Sequence, residues 1–114
     1  MKSPDAVRSL AALAHPGRLG IFRLLVKAGP SGVAAGRIGR RLKAPPSTLS
    51  ANLTVLAKAG LVEARRDGRR IIYTARYDRM GDLLGFLIED CCAGSNVICA
   101  PLSGILKRIS CCSP

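Results

Sequence analysis

Residues 46–74 read PSTLSANLTVLAKAGLVEARRDGRRIIYT, and this stretch decides the fold. Pro46 suits the first position of a helix, because its missing N–H is not needed there. Three leucines then follow at helical spacing: Leu49, Leu53 and Leu56. Gly60 is well placed to end the helix in the left-handed conformation. The pattern predicts a helix over about residues 46–59 with one buried leucine face.

The spacing of apolar residues changes after Gly60. Two strand-like runs, 61–66 and 69–74, flank Asp67-Gly68, and Asp-Gly between such runs is a strong signal for a β-hairpin. Arginines stand on both sides of the predicted turn: Arg65, Arg66, Arg69 and Arg70. The sequence therefore predicts a helix followed by a strongly basic hairpin.

Three helices are predicted before this stretch. Apolar residues indicate a first helix through Val7 and Leu10, a second over about 17–28, and a weaker third over about 32–42. His15, the single histidine of the chain, stands just before Pro16. We therefore expect His15 to have a structural or capping role at the start of the second helix.

A last helix is predicted after the hairpin, capped by Asp78 and continuing to about Cys91. Apolar residues cover much of its circumference, which favours one face on the core and another on a partner. The expected fold class is mainly α with a β-hairpin, a dimeric winged helix-turn-helix. We expect residues 1–92 to form one domain, and residues 93–114 a cysteine-containing C-terminal segment.

The charge of the chain favours a polyanionic partner. The 114 residues carry a formal net charge of +11, and residues 37–76 hold ten Lys or Arg and two acids. Residues 81–106 hold no Lys or Arg, so the charge is concentrated rather than spread for solubility alone. There is no signal-type leader and no run of 18 apolar residues, so we expect a cytoplasmic protein without a membrane partner.

The helix and the hairpin together form a candidate interface with duplex DNA. Short polar side chains near the helix start are expected on its exposed side, within reach of bases or phosphates: Ser47, Thr48, Ser50 and Asn52. Asn52 is a candidate for bidentate pairing with adenine. The hairpin arginines, Arg65, Arg66, Arg69 and Arg70, are expected to contact phosphates or enter the minor groove. Alone, Ser or Thr at a helix start is more often a helix cap, and arginine at a hairpin tip is more often a solvated charge. The order of helix, turn, helix and basic hairpin is much more specific for DNA binding.

Three stretches resemble the ArsR-type (ArsR/SmtB family) metalloregulatory repressors. LAHPGRL at 13–19 resembles a signature of that family, STLSANL and LAKAGLV at 47–53 and 56–62 its recognition helix, and RDGR at 66–69 its wing. The resemblance covers about residues 5–92. We therefore expect residues 1–92 to be the DNA-binding and dimerisation domain, and residues 93–114 to hold an inducer loop and a tail. It implies a homodimer held by the first and last helices, and a repressor that a metal or metalloid releases from DNA. Many members have histidine at the position of Asn52, so no base preference is implied.

The cysteines determine which inducer the resemblance implies. Many members bind metal through a Cys-x-Cys box on the third helix, but residues 33–38 contain no cysteine. A zinc site of histidines and carboxylates on the last helix cannot be built with His15 alone. The remaining candidate is Cys91-Cys92-x6-Cys99, which resembles the vicinal pair and third cysteine of arsenic sensors.

Three thiols suit a soft, trivalent metalloid. As(III) or Sb(III) prefers thiolate sulfur and takes three sulfurs in a pyramid. Gly94, Ser95 and Asn96 favour a turn that brings Cys99 to Cys91 and Cys92. The expected function is therefore a repressor that As(III) or Sb(III) releases from its operator, with no cofactor required.

Other roles for the cysteines stay open at this stage. The same fold could sense another thiophile, such as cadmium or methylated arsenic, or an oxidant, and the cysteines could simply be buried apolar side chains. A metal buffer would not need the wing. A thiol enzyme is disfavoured because Glu89 and Asp90 oppose thiolate formation at the neighbouring cysteines, so we expect no enzymatic activity. Cys111 and Cys112 are expected to be non-essential, or substitute ligands.

Overall fold

A computed structural model describes residues 1–88. Five helices and three short strands follow one another along the chain: α1 (Ser3–Leu13), α2 (Pro16–Ala28), β1 (Val33–Ala34), α3 (Ala35–Leu42), α4 (Pro46–Lys58), β2 (Val62–Asp67), β3 (Arg70–Ala75) and α5 (Tyr77–Leu87). The predicted fold class, mainly α with a β-hairpin in a winged helix-turn-helix, is confirmed. No helix of the described part is long and apolar enough to cross a membrane.

The strands form one antiparallel sheet in the order β1-β3-β2. In the hairpin, Val62 pairs with Ala75 and Asp67 with Arg70, so the turn residues are Gly68 and Arg69 and not Asp67 and Gly68 as predicted. The reason is that Gly68, with φ +64°, takes the first turn position, where a two-residue hairpin turn favours glycine. The sequence pattern did not predict β1, since residues 33 and 34 fell within the predicted third helix. The reason is a contact distant in sequence: Gly32 has φ +77°, and a Cβ there would lie 2.6 Å from the carbonyl oxygen of Tyr73 in β3. The chain therefore lies flat against β3 before α3 begins.

The core is aliphatic and centres on α2 and α4. Helices α3 and α4 each contribute an apolar face, and the turn after α4 adds Ala59 and Leu61. The large side chains of this cluster are Ile21, Phe22, Leu25, Ile38, Leu49, Leu53, Leu56, Leu61 and Val62. Burying one such side chain stabilises the fold by about 1.5–3 kcal/mol, so this cluster fixes how α4 sits on α2.

The two outer helices leave apolar side chains uncovered. In α1 the buried residues are Ala6, Ser9 and Ala12, while Val7 and Leu10 are 62% and 42% exposed. In α5 Leu83 is buried, while Leu84 and Leu87 are 50% and 51% exposed. The apolar repeat that predicted α1 thus marks a face that residues 1–88 do not bury.

Helix α5 begins differently from the prediction. Its N-cap residue is Arg76, and no side chain caps it. Asp78 lies in the first turn and accepts a hydrogen bond from Nη2 of Arg76 at 2.8 Å. That hydrogen bond holds the pKa of the Asp78 carboxyl below its usual range. The predicted capping role of Asp78 is therefore wrong, because Arg76 takes the carboxylate as an exposed ion-pair partner.

His15 caps α2, as predicted. Its Nδ1 accepts hydrogen bonds from the backbone N–H groups of Gly17 at 3.1 Å and Arg18 at 3.4 Å. These donors belong to the first turn of the helix, where no backbone acceptor is available. Arg18 in turn donates to the carbonyl oxygens of Ala11 and Ala12 at the end of α1. Side chains thus satisfy backbone groups on both sides of the break: His15 accepts from N–H groups of α2, and Arg18 donates to carbonyl oxygens of α1.

Removing this cap should destabilise the domain. We expect His15→Ala to lower the free energy of unfolding by about 1 kcal/mol, because two backbone donors lose their acceptor. His15→Asn keeps an acceptor at the cap position and should recover most of the loss. Urea unfolding followed by circular dichroism measures both. An alanine variant as stable as the wild type would contradict the capping role.

Candidate nucleic-acid interface

A short turn joins α3 to α4 and sets their close approach. Lys43 takes a left-handed conformation with φ 53°, and the N–H of Ala44 donates to the carbonyl of Gly39 at 3.0 Å. A Cβ at Gly39 would lie 3.2 Å from Cδ2 of Leu49, tighter than ordinary contact. The glycine weakens α3 by about 1 kcal/mol relative to alanine, yet it lets α4 pack closely against α3.

The start of α4 presents short polar side chains to solvent. Pro45 is the N-cap residue and Pro46 the first helical residue, and no side chain caps the helix. Ser47, Thr48 and Ser50 are exposed, as predicted, while Leu49 is buried. The alternative that these hydroxyls serve only as helix caps therefore fails in this structure. The first turn offers hydroxyls and unpaired N–H groups to an outside partner.

Asn52 does not belong to this exposed face. It is only 8% exposed, and a Cβ at Gly17 would lie 2.9 Å from its Nδ2. The prediction that Asn52 lies on the exposed side is therefore wrong, and this burial argues against its predicted pairing with adenine. Residue 52 stands three residues after Leu49 and four before Leu56, and this spacing places it on the buried face. Its amide instead packs over the start of α2, in the space that glycine leaves.

The wing, defined as the hairpin of β2 and β3, separates its arginines. Alternate residues of a strand point to opposite faces, so Arg65 and Arg66 lie on opposite sides. Nη2 of Arg65 donates to the carbonyl of Ser31 at 2.9 Å. Nη2 of Arg70 lies 3.5 Å from Oδ2 of Asp67, in an exposed ion pair.

Two wing arginines thus keep their full charge for an outside partner. Within residues 1–88, Arg66 and Arg69 form no ion pair and no side-chain hydrogen bond. Both are exposed beside Gly68, whose φ of +64° shapes the tip. Arg65 and Arg70 lie behind them and also retain exposed charge, as the sequence indicated.

The structure adds basic residues that the sequence pattern did not single out. Arg37 and Arg40 of α3 line a groove together with Arg65, Arg69 and Arg70 of the wing. Arg37 and Arg40 are three residues apart, so both lie on one side of the helix. This spacing is the sequence signal that could have predicted a basic face on α3.

The predicted metal ligands Cys91, Cys92 and Cys99 lie outside the described residues, as do the tail cysteines and the boundary at residue 93. Between residues 1 and 88, no three His, Cys, Asp or Glu side chains come together as a candidate metal site. The sensing part of the prediction therefore stays a prediction.

Sequence comparisons relate this chain to known transcriptional regulators. The helix-turn-helix domain family matches residues 13–65. An HTH-type transcriptional regulator of Methanocaldococcus jannaschii is 34% identical over 88 residues, which cover 77% of this chain and 97% of that protein. The biofilm growth-associated repressor of Agrobacterium fabrum is 34% identical over 84 residues, covering 74% of this chain and 69% of the repressor.

A solved structure shares both the sequence and the architecture. It is the homodimeric winged helix-turn-helix DNA-binding domain of a possible ArsR-family transcriptional regulator from Mycobacterium bovis. The two chains are 34% identical and superpose with a TM-score of 0.62, over 75% of this chain and 77% of that one. The protein described here therefore belongs to the helix-turn-helix transcriptional regulators, with the winged fold of ArsR-like domains.

Proposed function

We propose that the protein is a homodimeric repressor that As(III) or Sb(III) releases from its operator by binding to Cys91, Cys92 and Cys99. The observation that carries the DNA-binding half is the surface formed by the uncapped first turn of α4 and the unpaired wing arginines. The sensing half rests on the three cysteines of the sequence and on the resemblance to arsenic-responsive repressors.

The proposed DNA contact divides between two grooves. Helix α4 enters the major groove with its first turn, where Ser47, Thr48 and Ser50 reach base edges and phosphates. The wing lies over the adjacent minor groove, where Arg66 and Arg69 contact phosphates or the groove floor. Arg65 and Arg70 lie behind them and add to the positive electrostatic potential of the wing.

The proposed dimer forms through α1 and α5. Val7 and Leu10 on α1, with Leu84 and Leu87 on α5, are apolar and largely exposed in the single chain. Such side chains on two helices that contact one another favour burial against a second copy. The Mycobacterium bovis relative is a homodimer, which supports the proposed dimerisation. A dimer presents two copies of α4 about 34 Å apart, one turn of DNA.

The proposed inducer acts on the chain just after α5, and α5 is tied to the end of α4. The N–H of Arg76 donates to the carbonyl of Leu61 at 2.8 Å. The side chain of Arg79 lies against Gly60, with its Nε 3.1 Å from the position of a Cβ there. A metalloid that reshapes the end of α5 therefore acts on an element that directly contacts the exit of α4.

The wing assignment predicts a large and sequence-independent effect. We expect the double variant Arg66→Ala/Arg69→Ala to bind all duplex sequences at least roughly tenfold more weakly at physiological salt. The slope of log affinity against log salt should become shallower by up to about 1.8, since two phosphate contacts are lost. Fluorescence anisotropy over a salt series measures both. A double variant that binds as tightly as the wild type would remove the wing from the interface.

The position of Asn52 predicts a different outcome from that of Ser50. Ser50→Ala should change which duplexes the protein prefers, because the hydroxyl faces outward from the first turns of α4. Asn52→Ala should lower thermal stability and leave that preference unchanged, because the amide is buried against α2. Selection from a random duplex pool with each variant tests this. A changed base preference for the Asn52 variant alone would return this residue to the interface.

The proposed sensor site separates the three loop cysteines from the tail. Cys99→Ser leaves two sulfurs and a hard oxygen, which a soft metalloid binds poorly. This variant should bind the operator normally and no longer be released by arsenite. The matched control Cys111→Ser/Cys112→Ser should be released like the wild type. Arsenite titration of DNA-bound protein measures both. The assignment is overturned if the tail variant loses release while the Cys99 variant keeps it.

A further inference from the structure

A small groove lies where α1, α2 and the end of α4 meet. It has a volume of about 320 Å³, within the range typical of small-molecule sites. Its lining consists of Arg8, Ala11 and Ala12 from α1, Arg18 from α2, and Val55, Lys58 and Ala59 at the end of α4. None of these residues belongs to the wing or to the first turn of α4, so the groove is separate from the side chains assigned to DNA contact.

The floor of this groove is apolar and partly open. Ala12 and Ala59 are buried in the core. The leucines of α4 are buried as well, whereas Val55 is 38% exposed. Val55 stands four residues before Ala59, so both lie on the same side of α4. An apolar ligand that covered Val55 would remove apolar surface from water, which is favourable.

Three cations surround the floor: Arg8, Arg18 and Lys58. No residue of the lining is acidic, and within residues 1–88 neither Arg18 nor Lys58 forms an ion pair. Arg8 has one partner, Asp5, at 4.0 Å, and such an exposed pair contributes little. The groove therefore combines an apolar floor with positive charge that the described part of the chain does not neutralise.

Arg18 is already held in position by the end of α1. Its Nε donates to the carbonyl oxygen of Ala12, and its Nη2 lies 3.4 Å from the carbonyl oxygen of Ala11. A guanidinium group has five N–H donors, so these two hydrogen bonds leave three for a ligand. Because the side chain is fixed beforehand, it loses little conformational freedom when an anion binds.

We propose that this groove binds a small amphipathic carboxylate. The apolar body of the ligand lies on Val55 and the alanines, and its carboxylate accepts hydrogen bonds from Arg18 and Lys58. The sugar-phosphate backbone of DNA is a poorer match, because it gains little from an apolar floor. A second copy or another segment of this chain is also a poorer match for three cations, since the chain carries a formal net charge of +11.

The groove connects two helices that have other proposed roles. Arg8 and Ala12 each lie about 160° round α1 from Leu10, so the groove and the proposed dimer face are on different sides of that helix. On α4, a carboxylate beside Lys58 lowers the positive potential of the proposed recognition helix. We therefore expect the bound ligand to weaken DNA binding. This effect rests on the proposed function, whereas binding of the carboxylate does not.

Calorimetric titration of the full chain without DNA tests the site, with octanoate as the probe. Octanoate should bind with a Kd of about 1 mM or tighter. Acetate has the same head group without the apolar body, and octylamine has the same chain length with the opposite charge. Both should bind at least roughly tenfold more weakly than octanoate, because each lacks one of the two features that the groove recognises.

The chain offers a matched control for the key cation. Lys58 and Lys27 are both exposed in the last turn of a helix, but Lys27 lines a different groove. Lys58→Gln should weaken octanoate binding roughly tenfold, and Lys27→Gln should leave it unchanged. Ala11→Leu should abolish binding by filling the groove, and circular dichroism should show that this variant folds, because Ala11 is exposed.

The proposed site is overturned if octanoate does not bind the full chain, or if Lys58→Gln and Lys27→Gln weaken its binding equally. If octanoate does not bind and Lys58→Gln alone makes the salt slope of duplex binding shallower, the groove contacts DNA phosphate instead.

Duplex binding separates this site from the proposed function. Saturating octanoate should lower the affinity for a duplex selected from a random pool by about fivefold or more, and it should not do so in Lys58→Gln. An unchanged duplex affinity would remove the effect on DNA. If octanoate binds as expected while the wild-type protein selects no duplex, the proposed function fails and the carboxylate site stands.

Discussion

The packing of α4 on α2 is the interaction on which the rest of the structure depends. The leucine face of α4 is buried against Ile21, Phe22 and Leu25, and Asn52 fills the space over Gly17 at the start of α2. Truncating one of these leucines to alanine costs about 2–5 kcal/mol, a large share of the stability of a small domain. Because this face is fixed, the opposite face at the start of α4 must point outward. Burial of leucine thus determines where the hydroxyls of Ser47, Thr48 and Ser50 can act.

Most of the architecture could be predicted from local sequence signals. Pro46, the leucine spacing and Gly60 determine α4 within a short stretch. Gly68 likewise determines the hairpin, although its turn lies one residue later than the Asp-Gly pattern predicted. What could not be predicted depends on contacts distant in sequence. Strand β1 exists because Gly32 allows the chain to lie against β3, and no periodicity within residues 32–42 reports that contact.

The candidate site follows the same division. The exposure of Ser47, Thr48 and Ser50 follows from helical periodicity. The burial of Asn52 follows from the same periodicity, because its spacing from Leu49 and Leu56 outweighs the polar character of its side chain. Which arginines are paired could not be read from the chain, because it depends on the backbone carbonyl of Ser31 and on hairpin register. Likewise, only the folded chain brings Arg37 and Arg40 beside the wing.

A coupling between sensing and DNA binding requires that the end of α4 respond to α5. In this structure the guanidinium group of Arg79 lies over Gly60, near the C-terminal end of the α4 dipole, where a cation is favoured. Its Nε is buried and finds no acceptor within residues 1–88. Leaving a buried donor unsatisfied costs about 1–3 kcal/mol. This cost is comparable with the 1–3 kcal/mol of a typical allosteric coupling. A rearrangement of α5 that gave Arg79 an acceptor would remove this cost at the point where α5 contacts the exit of α4.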